Sequence, residues 1–470
     1  IFLIRMDALF SVRIETLGCR LNQVESEALA AEFLRCRFSL FDREKNTLHE
    51  SVGLCIVNTC TVTGKAEQKA RRLIRLLLKE HGSAVILVTG CYAELEAEAI
   101  EALDGRTHRV IAFSGKKKDE LSRLPAFVCS FFEKGADSAG DSIEELKICL
   151  FAFKTKVAAG GAAGTKTLFK LSSPVFTFHS RAGLKVQDGC NSTCAYCRIR
   201  LARGPSVSLP AAEAVDRLRE IEKNGAAEAV LSGINLSQYF DKDCGRFPEL
   251  LSLLLKHTDR IRLRISSLYP DLVTQALVSV LKHERICPHF HLSIQSGSSR
   301  ILSAMNRAYR PADIAGAVAA LRSAKDNPFI GCDIITGFPS ETDEDFEETF
   351  SMCERLQFSC IHVFPFSARP GTQAFSMKNK VPERISRKRA ARLTALSEKQ
   401  YAEYLDSCGG KTFFAVAERP VFGKPLTVVT ENYLALPLKS GKKTDNYKGG
   451  EGLFVRVRGG FAELADFNDL

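Results

Sequence analysis

Three cysteines, Cys190, Cys194 and Cys197, are separated by three and two residues in the run Gly189-Cys190-Asn191-Ser192-Thr193-Cys194-Ala195-Tyr196-Cys197. No other stretch constrains the fold as much, because three thiols must be carried on one tight loop that a rigid scaffold presents. Thiolates are the ligands of soft iron-sulfur centres. Three of them from one loop leave the fourth iron of a cubane without a protein ligand. Sixteen cysteines in 470 residues, with no signal-peptide pattern at the start, argue for metal binding rather than a disulfide framework. No apolar run reaches the ~18 residues that a membrane span requires, so a cytoplasmic location with no membrane partner is expected.

The first segment, residues 1–115, alternates strand and helix signals. Strands are predicted at 12–17, 54–58 and 84–89, and helices at 22–37, 65–79 and from about 94. This pattern implies an α/β fold with a doubly wound parallel sheet. Cys19, Cys60 and Cys91 each stand just past a predicted strand end. Ligands of open parallel sheets bind outside those ends, so three thiols that are 41 and 31 residues apart can meet at one centre. Cys55 competes for the second position, but it falls inside the strand, and Cys60 is preferred. The 65–79 helix is basic, with Lys65, Lys69, Arg71, Arg72, Arg75 and Lys79.

Residues 116–180 show poor periodicity and include the small-residue run 158–164, which is expected to be a partly mobile linker. Cys129 and Cys149 have no partner at ligand spacing and are read as structural. From 181 to 378 six strand-like runs, at 183–187, 229–232, 262–266, 289–294, 329–335 and 360–366, alternate with helical patterns. They suggest a partial (β/α)6 barrel with its reactive face at the strand carboxyl ends. Along the fourth strand His289 and His291 are expected to be core or rim residues rather than ligands. In 379–470 a basic run precedes a helix, with Lys378, Lys380, Arg384, Arg387, Lys388, Arg389 and Arg392 in and beside it. Short strand patterns at 412–417, 426–430, 433–436 and 453–457 follow, suggesting a small β-barrel; residues from Phe461 show little pattern. A solvated helix face and phosphate neutralisation both account for the basic run. The net charge of +10 favours a polyanionic partner.

The three-cysteine loop resembles that of the radical S-adenosylmethionine superfamily. The resemblance narrows to its methylthiotransferases, on Leu17-Gly18-Cys19-Arg20-Leu21-Asn22, Val57-Asn58-Thr59-Cys60, Thr89-Gly90-Cys91, Gln187-Asp188-Gly189-Cys190, Ala202-Arg203-Gly204, Ser232-Gly233-Ile234-Asn235, Arg264-Ile265-Ser266-Ser267 and Gln295-Ser296-Gly297. Membership implies two 4Fe-4S clusters facing a shared cavity, one on Cys190, Cys194 and Cys197, the other on Cys19, Cys60 and Cys91. It also implies S-adenosylmethionine as cofactor, with Tyr196, Gly233, Asn235, Ser266 and Gln295 as candidate contacts, and a C-terminal TRAM-like RNA-binding barrel.

The local signatures look most like the branch that adds a methylthio group to C2 of N6-threonylcarbamoyladenosine beside the tRNA anticodon, at position 37. Isopentenyladenosine and ribosomal-protein aspartate branches are the neighbours, and a non-catalytic iron-sulfur RNA-binding protein is the alternative of another class. The resemblance further implies a tRNA anticodon loop as partner, an electron donor of flavodoxin or ferredoxin type, and a sulfur source. The chain departs from the family pattern at Arg198, Ser293 and Tyr269, which bears on loop conformation and substrate contacts.

Overall fold

Aliphatic runs alternate with amphipathic ones through the first part of the chain, and the computed structural model shows what they build. It describes residues 10–41, 52–105, 107–134, 142–160, 169–421, 423–439 and 447–465. Two compact units result. One comprises 1–178 with 188–190 and 198–207; the other comprises 179–187, 191–197 and 208–470.

In the first unit, strands β1 (Ser11–Thr16), β2 (Val52–Thr59), β3 (Val85–Gly90) and β4 (Val110–Ala112) form a parallel sheet in that order. Helix α1 (Arg20–Arg35) follows β1, and α2 (Gly64–Glu80) follows β2. Leu40 pairs with Val12 on the edge of β1 that faces away from β2, and the Phe41 amide donates to the Val12 carbonyl at 2.9 Å. The chain therefore leaves β1 in one direction through α1 and later advances in the other through α2. Right-handed crossovers then put the two helices on opposite faces. Ala28, Leu29 and Phe33 of α1 lie in one core layer, and Ala70, Ile74 and Leu77 of α2 in the other. The sheet is doubly wound, as expected, and its winding reverses between β1 and β2.

The stretch read as a linker carries two helices, α3 (Leu124–Lys134) and α4 (Ser142–Ala159). Leu124, Val128, Leu146, Cys149, Leu150 and Phe153 pack in the same layer as α1. Both helices are apolar around most of their girth, which blurs the 3.6-residue period that would have revealed them. Most of the glycine-alanine run, residues 161–164, lies outside the described residues. Further on, the Phe178 amide donates to Glu27 at 2.8 Å, tying residues near 178 to α1.

The second unit holds six parallel strands, β5 (Ala182–Lys185), β6 (Glu228–Ser232), β7 (Arg262–Ile265), β8 (His289–Gln295), β9 (Phe329–Thr336) and β10 (Cys360–Pro365). They pair in sequence order, with Ser267–Leu268 just beyond β7 bridging to β8. Helices α5 (Ala211–Lys223), α6 (Phe247–Lys256), α7 (Gln275–Leu281), α8 (Pro311–Ala324) and α9 (Asp343–Leu356) fall between them, completing the partial barrel. α9 begins with a capping box in which Thr342 and Asp345 satisfy each other's backbone amides.

The long helix α10 (Glu383–Ser407) packs on β10. Three arginines of its basic run are paired within the protein. Arg389 is buried and bonds Glu341 at 2.6 Å and Asp343 at 2.7 Å, Arg387 pairs with Glu383 at 2.7 Å, and Arg392 pairs with Glu347.

Strands β11 (Thr412–Ala417), β12 (Thr427–Thr430), β13 (Ala435–Pro437), β14 (Gly452–Arg458) and β15 (Phe461–Leu464) form an antiparallel sheet in the order β13-β12-β11-β14-β15. A bridge between Leu438 and Ala462 joins its two edges, so the sheet nearly closes. β15 lies where the sequence shows little pattern; four residues after two glycines are too short to display alternation. No helix among the described residues is long and apolar enough to cross a membrane.

A buried ion pair joins barrel and C-terminal sheet. Arg264 of β7 grips both carboxylate oxygens of Glu228 on β6 at 2.6 Å and donates to the carbonyls of Thr430 (3.2 Å) and Glu431 (3.0 Å). Removing one partner strands a buried charge, at a cost of about 3–5 kcal/mol. Arg264→Met should therefore lower the unfolding free energy by about that much, and Arg264→Met combined with Glu228→Leu should lose less than the two singles summed. Equilibrium denaturation followed by circular dichroism measures both.

Candidate functional site

The first group of thiols is assembled by three strand ends. Cys19 stands at the N-cap of α1, Cys60 directly follows β2, and Cys91 opens the short helix Cys91–Leu95 after β3. Gly18 has φ +104°, and a Cβ there would lie 2.5 Å from the Cys60 Cβ and 2.9 Å from its Sγ. The first two turns are thus in direct contact, and only glycine fits between them. Asn22 fixes them further: its amide donates to the carbonyls of Leu17 (2.8 Å) and Thr59 (3.0 Å), while Asn58 donates back to the Asn22 carbonyl at 3.1 Å. The Thr59 hydroxyl donates to the Thr89 carbonyl at 2.5 Å, linking the third strand end. Burial first, and then the neighbouring Cys19 and Cys91, push the Cys60 thiol up to about 12. A metal cation held beside Cys60 offsets that effect, because the thiolate is the form that binds it. Cys55, the rejected competitor, is buried in the core layer on the α2 side.

Arg203 backs this group. It is buried, bonds both oxygens of Asp188 (2.8 and 2.9 Å), reaches Glu25 at 3.3 Å, and donates to the Asn22 Oδ1 at 2.7 Å. Lys118 meets the other Glu25 oxygen at 2.5 Å. Two cations and two anions balance. Arg198, one of the departures from the family pattern, pairs with Glu67 (3.3 Å) and Glu96 (2.8 Å). In this same unit the Cys190 amide donates to the Gly204 carbonyl at 3.1 Å, and a Cβ on Gly189 would sit 1.9 Å from the Pro205 oxygen.

In the second unit the Cys197 amide donates to the Cys194 carbonyl at 3.1 Å, closing a turn. That turn is anchored from two sides: Ala195 donates to the Met305 carbonyl at 3.0 Å, and Ala374 donates to the Ala195 carbonyl at 2.7 Å. Arg307 donates to the Cys194 Sγ at 3.2 Å and to the Ser293 carbonyl at 2.6 Å. Its guanidinium lies 4.4 Å from the ring centre of Tyr269 and 5.0 Å from that of Tyr309. A cavity of about 670 Å³ opens beside this turn, with Ser192, Cys194, Asn235, Gln238, Tyr269 and Arg307 among its walls.

The candidate contacts have different positions. Asn235 lines the cavity; its backbone amide donates to Gln187 at 2.9 Å, and its side-chain oxygen accepts from the Ser237 amide at 3.1 Å. Gly233 is confined by its own turn, since a Cβ would meet Leu236 at 2.6 Å and Gln187 at 3.0 Å. Tyr196 packs against a core of Ala195, Ile301, Met305, Phe338 and Ala374, where burial pushes its phenol up. The Ser266 hydroxyl is buried with no hydrogen-bond partner among the described residues, and Gln295 ends β8 at φ +68°. Tyr196, Gly233, Ser266 and Gln295 are not among the residues that wall the cavity. Sequence reasoning passed over Arg307 and Gln238. The two departures at Tyr269 and Ser293 turn out to frame Arg307, which no local spacing reveals.

Residues 184–353 match the radical SAM superfamily, and residues 11–112 match the family described as uncharacterized protein family UPF0004. The chain is 48% identical to the threonylcarbamoyladenosine tRNA methylthiotransferase MtaB of Treponema pallidum, covering 92% of this chain and 95% of that one. It is 33% identical to the protein of that name from Thermotoga maritima (92% and 89%) and 29% identical to the tRNA-2-methylthio-N(6)-dimethylallyladenosine synthase of Porphyromonas gingivalis (95% and 92%). Among solved structures, the radical S-adenosylmethionine methyltransferase TsrM from Kitasatospora setae, with cobalamin and a [4Fe-4S] cluster bound, superposes with a TM-score of 0.51 at 13% identity. The match covers 77% of this chain and 76% of that one, a likeness of fold. The radical SAM match over residues 184–353 and near full-length identity to methylthiotransferases make this chain a member of the radical S-adenosylmethionine methylthiotransferase family.

Proposed function

We propose that this chain adds a methylthio group to C2 of N6-threonylcarbamoyladenosine at position 37 of tRNA. One observation carries the reading: three thiols from separate strand ends converge in the first unit, in a chain that bears a second three-cysteine loop. The substrate branch is supported by the 48% identical relative, whose name specifies threonylcarbamoyladenosine, against 29% for one named for dimethylallyladenosine.

The donor chemistry fits two 4Fe-4S clusters. Three thiolates in each group suit iron-sulfur centres and leave one iron open in each. Cys19, Cys60 and Cys91 would hold one cluster, and Cys190, Cys194 and Cys197 the other. When bound, the clusters and S-adenosylmethionine supply the radical and sulfur chemistry that an inert aromatic C–H bond requires, since acid-base catalysis cannot break it near neutral pH.

The protein's own groups position and exclude. Arg307 directs an N–H at the Cys194 sulfur, and hydrogen bonds to cluster sulfurs tune the potential of such centres. Asn235, Gln238 and Ser192 bring amide and hydroxyl groups to a cavity of about 670 Å³, within the size range of small-molecule sites. Tyr196, Gly233, Ser266 and Gln295 shape the surrounding loops. On α2, Lys65, Lys69, Arg72, Arg75 and Lys79 are exposed, a face suited to phosphate contacts. An unpaired anticodon-loop base is accessible to such an enzyme because it can be splayed out. Electrons come from a flavodoxin- or ferredoxin-type donor in the cytoplasm.

Four outcomes are expected. Anaerobically reconstituted protein should hold about eight irons per chain. Replacing Cys19, Cys60 and Cys91 together by Ala should leave about four irons, still release 5′-deoxyadenosine from S-adenosylmethionine with dithionite, and make no methylthio product. Full product from that variant would sink the reading; absence of S-adenosylmethionine cleavage in the parent protein would favour a non-catalytic binder. Mass spectrometry of tRNA nucleosides from a strain lacking this gene and any paralogue should show loss of the methylthio form of threonylcarbamoyladenosine and no change in the isopentenyladenosine series. Lys69→Glu with Arg72→Glu and Arg75→Glu should weaken tRNA binding at 50 mM salt by at least 10-fold and flatten its salt dependence, read by filter binding across salt concentrations.

A further inference from the structure

Two histidines and an aspartate from three adjacent barrel strands meet in the second unit. His291 lies on β8, Asp333 on β9 and His362 on β10. The pairing register sets His291 opposite Gly331 and Asp333 opposite His362. Successive residues of a strand face opposite sides. Phe290, Leu292 and Ile294 are buried in the core, whereas His291 and Ser293 are half-buried and occupy the other face of β8. His362 and Phe364 are exposed on β10.

His291 Nε2 is 3.1 Å and His362 Nδ1 is 3.5 Å from one and the same oxygen, Asp333 Oδ1. One ligand atom from each of the three residues lies within 4.8 Å of those from the other two. Ligand atoms about 2.0–2.1 Å from a tetrahedral zinc are about 3.3 Å apart, so the two measured separations are those of neighbouring ligands.

Hydrogen bonding does not account for the whole cluster. The His291 Nε2 is buried and, for all its closeness to the carboxylate, makes no hydrogen bond among the described residues. A buried polar nitrogen left unsatisfied is costly. A cation placed between nitrogen and carboxylate removes that cost for both. His289, two residues earlier on the same strand, has a different part: its ring lies 4.0 Å from that of Tyr433, in contact with the C-terminal sheet. The sequence reading grouped the two histidines as core or rim residues; the structure separates them, because Asp333 and His362 reach only one.

We propose that His291, Asp333 and His362 form a mononuclear site for a divalent transition metal, separate from the six cysteines of the two cluster groups. Two imidazoles and one carboxylate suit zinc or a similar borderline cation. Three protein ligands leave one position for water, and His362, with its side chain 54% exposed, lies on the side from which that water enters. The proposal does not depend on which nucleoside the enzyme modifies.

The test uses anaerobic holoenzyme with both clusters in place, given one equivalent of Zn²⁺ and then desalted. Elemental analysis should find one zinc per chain with iron unchanged. Zinc K-edge absorption should show a first shell of nitrogen and oxygen at about 2.0–2.1 Å. Asp333→Asn and His362→Ala should each weaken zinc binding, measured by competition with a chromophoric chelator, by more than 10-fold. His362 is exposed on its strand, so that variant tests the site even if Asp333→Asn does not fold. A shell made mainly of sulfur near 2.3 Å would assign the zinc to spare cysteines and overturn the proposal. So would loss of zinc on desalting, or variants that bind zinc as the parent does.

Discussion

The geometry of the first cysteine group depends on a neutral cluster of buried charges. Arg203, Lys118, Glu25 and Asp188 are all buried, and taking such ions out of water costs several kcal/mol apiece before their attraction is counted. A network of this kind adds little net stability. What it supplies is position, because Arg203 also holds Asn22 at 2.7 Å, and Asn22 in turn holds the backbone of the turns that carry Cys19 and Cys60. The thiol loops are thereby connected to a rigid ionic frame rather than left to the freedom of loops. Preorganisation of this sort matters most where three like-charged ligands must be kept together before a metal arrives.

The second unit uses arginine in the same way at two places. Arg264 and Glu228 fix the C-terminal sheet to β6 and β7, with a bidentate pair that lysine could not reproduce. Arg307 joins the Ser293 carbonyl, the Tyr309 hydroxyl and the Cys194 sulfur, with the Tyr269 ring beneath it. A planar guanidinium between aromatic rings keeps its donors aimed while losing little hydration. Family departures at Tyr269 and Ser293 thus belong to one local arrangement: the ring supports the cation, and a backbone carbonyl, which any residue offers, accepts from it. Arg198 follows the same logic in the first unit, where Glu67 and Glu96 receive its charge.

Strand and helix positions were legible wherever the period was clean. Helix α2 shows its apolar face at Ala70, Ile74 and Leu77 between basic residues, and the predicted 65–79 matches the observed Gly64–Glu80. Helices α3 and α4 were hidden because residues such as Phe127, Phe131 and Phe153 leave little polar contrast around their circumference. Strand β15 was too short to alternate. Cys19, Cys60 and Cys91 could be grouped because a parallel sheet places its strand ends side by side. The ionic frame around Arg203 could not, since Glu25, Lys118, Asp188 and Arg203 are brought together only by the tertiary fold. The same holds for His291, Asp333 and His362.

The basic surplus of the chain illustrates the difference between composition and arrangement. Helix α10 and the residues leading into it carry the densest basic run, yet Arg387, Arg389 and Arg392 each meet a carboxylate of the same unit. Arg389 is buried outright, and a guanidinium that already holds two carboxylates cannot also neutralise a phosphate without giving one up. Helix α2 has fewer basic residues but turns five of them to solvent on one side of an amphipathic helix whose other side is core. Counterion release upon binding a polyanion counts accessible charges, so Arg389 drops out of that count, whereas all five exposed cations of α2 enter it.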